Sequence, residues 1–143
     1  MNVIYRHQSA IPYSLHDMQV NQMEWIGQDL KFHFAYGYLQ LKEPFTQVDG
    51  DLLIQKVDPD SSYVYFLSEN SKCGDFQGKK MELQQFLRDY PDISFEVIDE
   101  LYGYNMVSYS GYLSLPGKVA LIEMTMCLYY TGDIIYQVKD DKT

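Results

Sequence analysis

The segment ALIEMTMCLYY, residues 120–130, carries the most regular pattern in the chain. Apolar side chains occupy every second position, and this period of two is typical of a β-strand with one buried face. The apolar face consists of Ala120, Ile122, Met124, Met126, Leu128 and Tyr130. The turn signal Thr-Gly-Asp at 131–133 precedes a second alternating run at 134–138. The pattern therefore predicts a C-terminal hairpin whose first strand is buried from residue 122 to residue 128, with Tyr136 on the neighbouring strand.

The same alternation recurs upstream and predicts further strands. Residues 30–38 place Leu, Phe, Phe, Tyr and Tyr on one face. Before them the apolar pattern changes phase around Asn21 and Gln22, which predicts a bulge or a bend, and residues 27–29 predict the turn of an antiparallel hairpin. Further short strands are predicted at residues 52–57, 63–67 and 93–97. The Asp-Pro-Asp-Ser turn signal at 58–61 predicts that the first two of these pair as a meander.

A helical period interrupts the strands near residue 80. Apolar residues at 81, 83, 86, 87 and 90 approximate the spacing of an amphipathic helix that Pro91 would end, so we expect one principal helix at about residues 79–90. A chain of 143 residues is close to the commonest domain size, which predicts a single globular domain over residues 1–143. The predicted fold class is mainly β, an antiparallel sandwich or barrel of about seven to nine strands with one helix.

The charge balance argues against several classes of partner. The chain has 11 Lys and Arg against 20 Asp and Glu, and its net charge of −9 would repel a phosphate backbone or an anionic membrane surface. We therefore expect no nucleic-acid partner and no membrane association. No apolar run approaches the roughly 20 residues needed to span a bilayer, and the N-terminus lacks the apolar region of a secretory signal. The sequence predicts a soluble, cytoplasmic protein.

The sequence contains no motif typical of a catalytic or metal site. Phosphate-binding loops, serine-hydrolase motifs and zinc-protease motifs are absent. The histidines are His7, His16 and His33. In a strand, His16 and the adjacent Asp17 would point to opposite faces, which weakens them as a catalytic pair. Cys73, in a polar loop, and Cys127 are predicted to be reduced thiols, because two distant cysteines make neither a disulfide scaffold nor a zinc site. We predict no catalytic residue, no metal and no cofactor.

The run LYGYNMVSYSGY, residues 101–112, concentrates four tyrosines and two glycines. As one strand it would have two mixed faces, and its glycines suggest a bend or a close approach of another backbone. One interpretation is that the rings pack across strands with their hydroxyls at the rim of the sheet. The other is that they line a groove for a small neutral ligand, for example a carbohydrate. The candidate ligand-binding residues are Trp25, Tyr102, Tyr104, Tyr109 and Tyr112.

Carboxylates cluster around the end of the predicted helix and the strand after it. The members of this cluster are Asp89, Asp92, Glu96, Asp99 and Glu100. They form either a solvated face or an electrostatic surface for a basic protein partner. The preferred hypothesis is a non-catalytic binding or interaction protein, such as an inhibitor or neutraliser of a basic protein. The alternative is a small-molecule or carbohydrate-binding barrel or sandwich with a tyrosine-lined pocket, with or without enzymatic activity. The sequence leaves the oligomeric state open.

Overall fold

The computed structural model describes residues 1–7, 10–69 and 78–139. This part of the chain contains thirteen strands and one helix, and the strand number exceeds the predicted seven to nine because several strands are very short. In chain order they are β1 (Asn2–Tyr5), β2 (Tyr13–Ser14), β3 (Met18–Ile26), β4 (Asp29–Phe34), β5 (Tyr38–Gln40), β6 (Gln47–Val48), β7 (Gly50–Ile54), β8 (Tyr63–Glu69), β9 (Lys79–Glu82), α1 (Leu83–Asp89), β10 (Ser94–Gly103), β11 (Met106–Ser114), β12 (Ile122–Tyr129) and β13 (Ile134–Val138).

Ten of the strands form one large antiparallel sheet in the order β1-β13-β7-β4-β3-β10-β11-β12-β8-β9. The remaining strands form a small sheet in the order β2-β5-β6, and its pairs are antiparallel as well. Side chains from both sheets and from α1 meet in one hydrophobic cluster. This arrangement confirms the prediction of a mainly β, antiparallel, sandwich-like or barrel-like fold with one helix.

The alternation in the sequence correctly predicts the buried face of the long strands. Leu30, Phe32 and Phe34 are buried along β4, and the inward face of β12 is equally buried. Its core residues are Met124, Met126 and Leu128. Ile122 is only partly buried, because it is the first residue of β12. The predicted hairpin between β3 and β4 is also present, and the register of β3 shifts between Val20 and Gln22, where a bulge or bend was expected.

The helix is shorter than predicted. It runs from Leu83 to Asp89, whereas residues 79–82 form β9 and pair with β8. Met81 is buried in that strand. A buried residue at position 81 fits both the helical period and the strand period, so the sequence pattern could not distinguish a strand from the first turn of a helix here. The Leu83 N–H donates to the Ser62 carbonyl at 3.1 Å, which fixes the point where strand becomes helix. No helix in the described ranges is long and apolar enough to cross a membrane.

The predictions of a C-terminal hairpin and of a meander were wrong. β12 pairs with β11 and β8, whereas β13 pairs with β1 and β7, so the two C-terminal strands lie in different halves of the large sheet. Residues 131 and 132 donate backbone hydrogen bonds to the carbonyls of Lys56 and Gln55, and this holds the turn against the end of β7. The chain therefore crosses between the halves instead of reversing. β7 and β8 are separated in the same way and do not pair.

The tyrosine-rich run is a hairpin and not one continuous strand. β10 ends at Gly103 and β11 begins at Met106, so Tyr104 and Asn105 form the turn, with Asn105 at a φ of 54°. The pairing of β10 with β11 is interrupted by a register shift between Val97 and Asp99, which leaves Ile98 as a bulge. Gly111 lies opposite this bulge, and a Cβ there would overlap the carbonyl oxygen of Glu96.

We expect Gly111→Ala to destabilise the protein by about 1–3 kcal/mol, the usual cost of forcing extra atoms into a packed site. Gly103→Ala, in the same hairpin, is the matched control. Its Cβ would meet the nearest atom at an ordinary 3.5 Å, so its free energy of unfolding should change by no more than about 0.5 kcal/mol. Urea unfolding of both variants measures the difference, and equal stabilities would show that the close approach at residue 111 does not exist.

Candidate functional site

The bulge at Ile98 decides which side chains of β10 face the core. Phe95 and Val97 are buried before it, and the one-residue shift then turns Glu100 and Tyr102 inward. The positions between them face outward, so Leu101 is 65 % exposed. The same shift puts the outward positions 96 and 99 on one face although they are three residues apart. The bulge thus places the carboxyl group of Glu100 in the core and brings Glu96 and Asp99 together on the outer face.

Glu100 is the acceptor of a buried hydrogen-bond network. The Leu15 N–H donates to its Oε2 at 3.0 Å, and the Tyr102 hydroxyl donates to its Oε1 at 2.6 Å. The Tyr102 and Tyr136 hydroxyl oxygens are 3.4 Å apart, and Tyr136 is the donor because the Tyr102 proton is directed at Glu100. Tyr109 lies beside Tyr102 with ring centroids 6.5 Å apart, and its buried hydroxyl has no partner among the described residues. The network ties β10 to β13 and to the segment before β3.

Burial raises the pKa of the Glu100 carboxyl, while the hydrogen bonds from Tyr102 and Leu15 oppose this by stabilising the carboxylate. Burial also raises the pKa values of Tyr102, Tyr109 and Tyr136 above the ordinary 10.0. These phenols therefore keep their protons at neutral pH and act as hydrogen-bond donors. The chemistry of the cluster is the solvation of one carboxylate by neutral donors inside the fold.

The turn between β2 and β3 binds the carbonyls at the bulge. The Asp17 N–H donates to the Val97 carbonyl at 2.7 Å, and His16 Nδ1 lies 2.6 Å from the Ile98 carbonyl oxygen. Nδ1 carries the proton, because a carbonyl only accepts. This hydrogen bond and then the Asp17 carboxylate raise the pKa of His16. His16 Nε2 and Asp17 Oδ2 are 3.4 Å apart, because the two residues lie in a turn and not on opposite faces of a strand. Both side chains are exposed, and the contacts of this turn support the bulge.

The outer surface of β10, β11 and β12 carries an acidic face, defined here as Glu96, Asp99, Tyr112 and Glu123. Glu96, Tyr112 and Glu123 are register partners across the three strands, so the tyrosine ring lies between two carboxylates. Asp99 is one row away, beside the Ser110 hydroxyl, which hydrogen-bonds Thr125 at 3.0 Å. A hollow of about 140 Å³ opens here, lined by Asp99, Tyr112 and Glu123 and by the apolar side chains of Leu67 and Ile98.

Within the described ranges, the carboxylates of the acidic face lack the ion pairs that surround Asp51 on the other half of the large sheet. Among the described residues, no lysine, arginine or histidine forms an ion pair with Glu96, Asp99 or Glu123. The buried Asp51, in contrast, has three basic neighbours within 3.8 Å. They are Lys31, His33 and Lys139. No neighbouring basic side chain in the described part of the chain therefore offsets the charges of Glu96, Asp99 and Glu123.

The predicted ligand-binding residues do not line a common pocket. Tyr102 and Tyr109 belong to the core, and their hydroxyls point into it and not to the rim. Tyr104 is 78 % exposed at the tip of the hairpin, and Tyr112 lies on the acidic face. Trp25 lies at the end of β3 and lines a separate, larger cleft. The structure therefore distributes these five side chains over four environments.

Among the predicted acids, Glu96 and Asp99 come together and the others do not. Glu100 faces the core, Asp92 is exposed before β10, and Asp89 lies 3.3 Å from the Nε of Arg88 at the end of α1. Glu123 was not among the acids predicted to form this surface. The inward positions of Met124 and Met126 imply that residue 123 faces outward, but its place beside Tyr112 depends on the pairing of β11 with β12. Alternation within one strand does not contain that information.

The histidines and cysteines were not predicted to form a site. His7 packs edge-on against Tyr104, with ring centroids 5.7 Å apart, and His33 lies between Glu24 and Asp51. No group of three or more metal-ligating side chains occurs within the described ranges. Cys127 is partly buried, with its Sγ 3.8 Å from the Ser108 hydroxyl. Cys73 lies outside the described residues.

We expect Tyr102→Phe to lower stability in a pH-dependent way. Burial raises the folded-state pKa of Glu100 above its ordinary 4.5. The contribution of this carboxyl to the free energy of unfolding therefore falls as the pH rises from 4.5 through the higher folded-state pKa. Removing the donor raises the folded-state pKa further. Because the Tyr136 hydroxyl also loses its acceptor at every pH, the loss should be smaller near pH 4 than near pH 7, where it should reach about 1–3 kcal/mol, the cost of an unsatisfied buried acceptor.

Urea unfolding at both pH values measures this difference, and Tyr104→Phe is the matched control in the same hairpin. Because Tyr104 is exposed, its variant should stay within about 0.5 kcal/mol of the unmodified protein at either pH. A loss in Tyr102→Phe that is the same at both pH values would show that the hydroxyl does not serve the Glu100 carboxylate.

The comparisons with known proteins identify no relative. The sequence matches no family model, and no curated protein and no solved structure is significantly similar to it. Function is therefore inferred from the placement of this chain's own residues.

Proposed function

We propose that the protein is a non-catalytic interaction protein that binds a basic protein partner through the acidic face, as an inhibitor or neutraliser of that partner. The observation that carries the proposal is the row formed by Glu96, Tyr112 and Glu123, with Asp99 and a small hollow beside it. The net charge of −9 adds long-range attraction for a basic surface and raises the rate of association. With its two cysteines taken as reduced thiols, we place the protein in the cytoplasm.

The hollow suits one lysine or arginine side chain of such a partner. Its volume of about 140 Å³ is well below the roughly 300–1,000 Å³ of small-molecule pockets. Leu67 and Ile98 offer an apolar wall to the methylene stem, and Tyr112 lines the same hollow with an aromatic ring that can contact the cationic head. The carboxylates of Asp99 and Glu123 can then accept charge-assisted hydrogen bonds. The site thus combines the three interactions that a long basic side chain makes.

The position of the acidic face also supports docking of a protein. Its residues lie on β10, β11 and β12, and the pairings β10-β11 and β11-β12 are the two longest in the large sheet, so their spacing is held by backbone hydrogen bonds. Side chains on rigid strands lose less freedom on binding than side chains on loops. The face is therefore organised before a partner arrives.

We expect the double variant Glu96→Gln, Glu123→Gln to bind an immobilised oligo-arginine peptide with an association rate about five- to tenfold lower at low salt, because local charge steers encounter. The control is Glu43→Gln, Asp60→Asn, which removes the same two charges from loops outside the acidic face. Its rate should stay within about twofold of that of the unmodified protein. Surface plasmon resonance at several salt concentrations provides both rates.

Equal losses in the two double variants would mean that only net charge matters and would contradict a defined docking face. Tyr112→Leu separates the aromatic contribution from the charge. It leaves every carboxylate in place, and we expect it to raise the dissociation rate of the peptide while the association rate stays unchanged, since loss of a short-range contact acts mainly on dissociation.

A further inference from the structure

A second concave surface, separate from the acidic face, opens between the β3–β4 turn, the β7–β8 loop, α1 and the turn after β12. This cleft has a volume of about 750 Å³, within the roughly 300–1,000 Å³ typical of small-molecule sites. The residues that matter for its chemistry are Trp25, Gln28, Lys56, Asp58, Gln84 and Thr131. It contains none of the four tyrosines of the 101–112 run.

The backbone of the cleft wall is fixed by hydrogen bonds between the segments that meet there. Lys56 has a φ of 53°, its N–H donates to Asp29 Oδ1 at 3.0 Å, and its carbonyl accepts from the Thr131 N–H at 3.0 Å. The Val57 N–H donates to the Gln28 carbonyl at 3.1 Å. The wall is therefore built before any ligand binds, as in most small-molecule sites.

Several polar side chains of the cleft are free to bind a ligand. The amides of Gln28 and Gln84, the Thr131 hydroxyl and the Trp25 indole N–H make no hydrogen bond with other described residues. Asp58 differs, because its carboxylate already accepts from the Ser61 hydroxyl at 2.9 Å and the Asp60 N–H at 3.0 Å. The cleft thus offers groups that both donate and accept, beside one aromatic ring.

The charge of the cleft argues against an anionic ligand, and its lining is neutral overall. Its lining contains one lysine and one aspartate, which cancel, and the surrounding protein carries a net charge of −9 that disfavours anions such as nucleotides. Amide side chains match hydroxyl groups, which also donate and accept, and an indole ring provides an apolar plane against which a sugar ring can pack. These features together describe a site for a compact polyhydroxylated molecule.

We infer that the cleft binds an uncharged saccharide, with one sugar ring against Trp25 and its hydroxyl groups hydrogen-bonded to Gln28, Gln84 and Thr131. This site is separate from the acidic face, and the inference does not rest on the proposed binding of a basic protein. Trp25 is only partly buried against the core and lines the cleft, so part of its side chain is accessible to a ligand.

The protein contains a natural reporter for this site, because Trp25 is the only tryptophan in the chain. With tryptophan excited selectively, titration of the full chain with maltose, cellobiose and N-acetylglucosamine should change the emission in a saturable way for at least one of these sugars. Glucuronate and adenosine monophosphate are the charged comparators and should give no saturable change. Saturation by a charged comparator alone, or by no compound at all, would overturn the inference.

Two variants on α1 localise any binding. Gln84→Ala removes an exposed cleft amide and should weaken the sugar that binds by about two- to tenfold, the effect of one net hydrogen bond. Gln85→Ala makes the same change at the next position, which does not line the cleft, and should leave the affinity unchanged. Circular dichroism confirms that both variants are folded. Equal affinities in the two variants would place the sugar elsewhere and contradict the assignment.

Discussion

The close approach of the Glu96 carbonyl to Gly111 is the contact on which the other features of this fold depend. Only a residue without a Cβ can occupy position 111 there, and the approach allows Ile98 to bulge out of β10. The bulge reverses the orientation of every side chain that follows it. Glu100 then enters the core, while Asp99 joins Glu96 on the outside. One backbone contact thus decides both the buried network and the acidic face.

Several tyrosines serve as hydrogen-bond donors inside the core. A buried carboxylate is costly unless donors surround it, and tyrosine supplies a donor at the end of a large apolar ring. Tyr102 donates to the Glu100 carboxylate, Tyr136 donates to the Tyr102 hydroxyl behind it, and Tyr38 donates to the backbone carbonyl of Asp51 at 2.7 Å. Tyr109 is the exception, since its buried hydroxyl lacks a partner among the described residues. In the 101–112 run two tyrosines belong to the core, one lies at the hairpin tip and one on the acidic face, which explains why this tyrosine-rich segment does not form a pocket.

Alternation in the sequence was sufficient to predict the strands and their buried faces, because the period of two reflects a geometry that each strand has by itself. It could not predict which strands pair, since pairing depends on contacts between distant segments. The turn at 131–133 resembles a hairpin turn in sequence, yet its hydrogen bonds to Gln55 and Lys56 carry the chain across the fold. The same limit explains the site. Glu96 and Asp99 were found as acids close in sequence, whereas Glu123 joins them only through the pairing of β12 with β11.

The two proposed surfaces are built from different parts of the fold: the acidic face lies on β10, β11 and β12, whereas the cleft lies at the end of β3 among turns and α1. β3 carries Trp25 and pairs with β10, which carries Glu96, through the register that includes Val20 and Phe95. Residues of the acidic face point away from the core, whereas Trp25 packs partly against it. The two surfaces are therefore connected through the β3-β10 pair and through β12, which carries Glu123, pairs with β11 and β8, and leads into Thr131 of the cleft. Coupling between two sites requires an element with two arrangements, and paired strands with buried side chains resist a change of register. The geometry thus favours a scaffold on which the two surfaces bind independently.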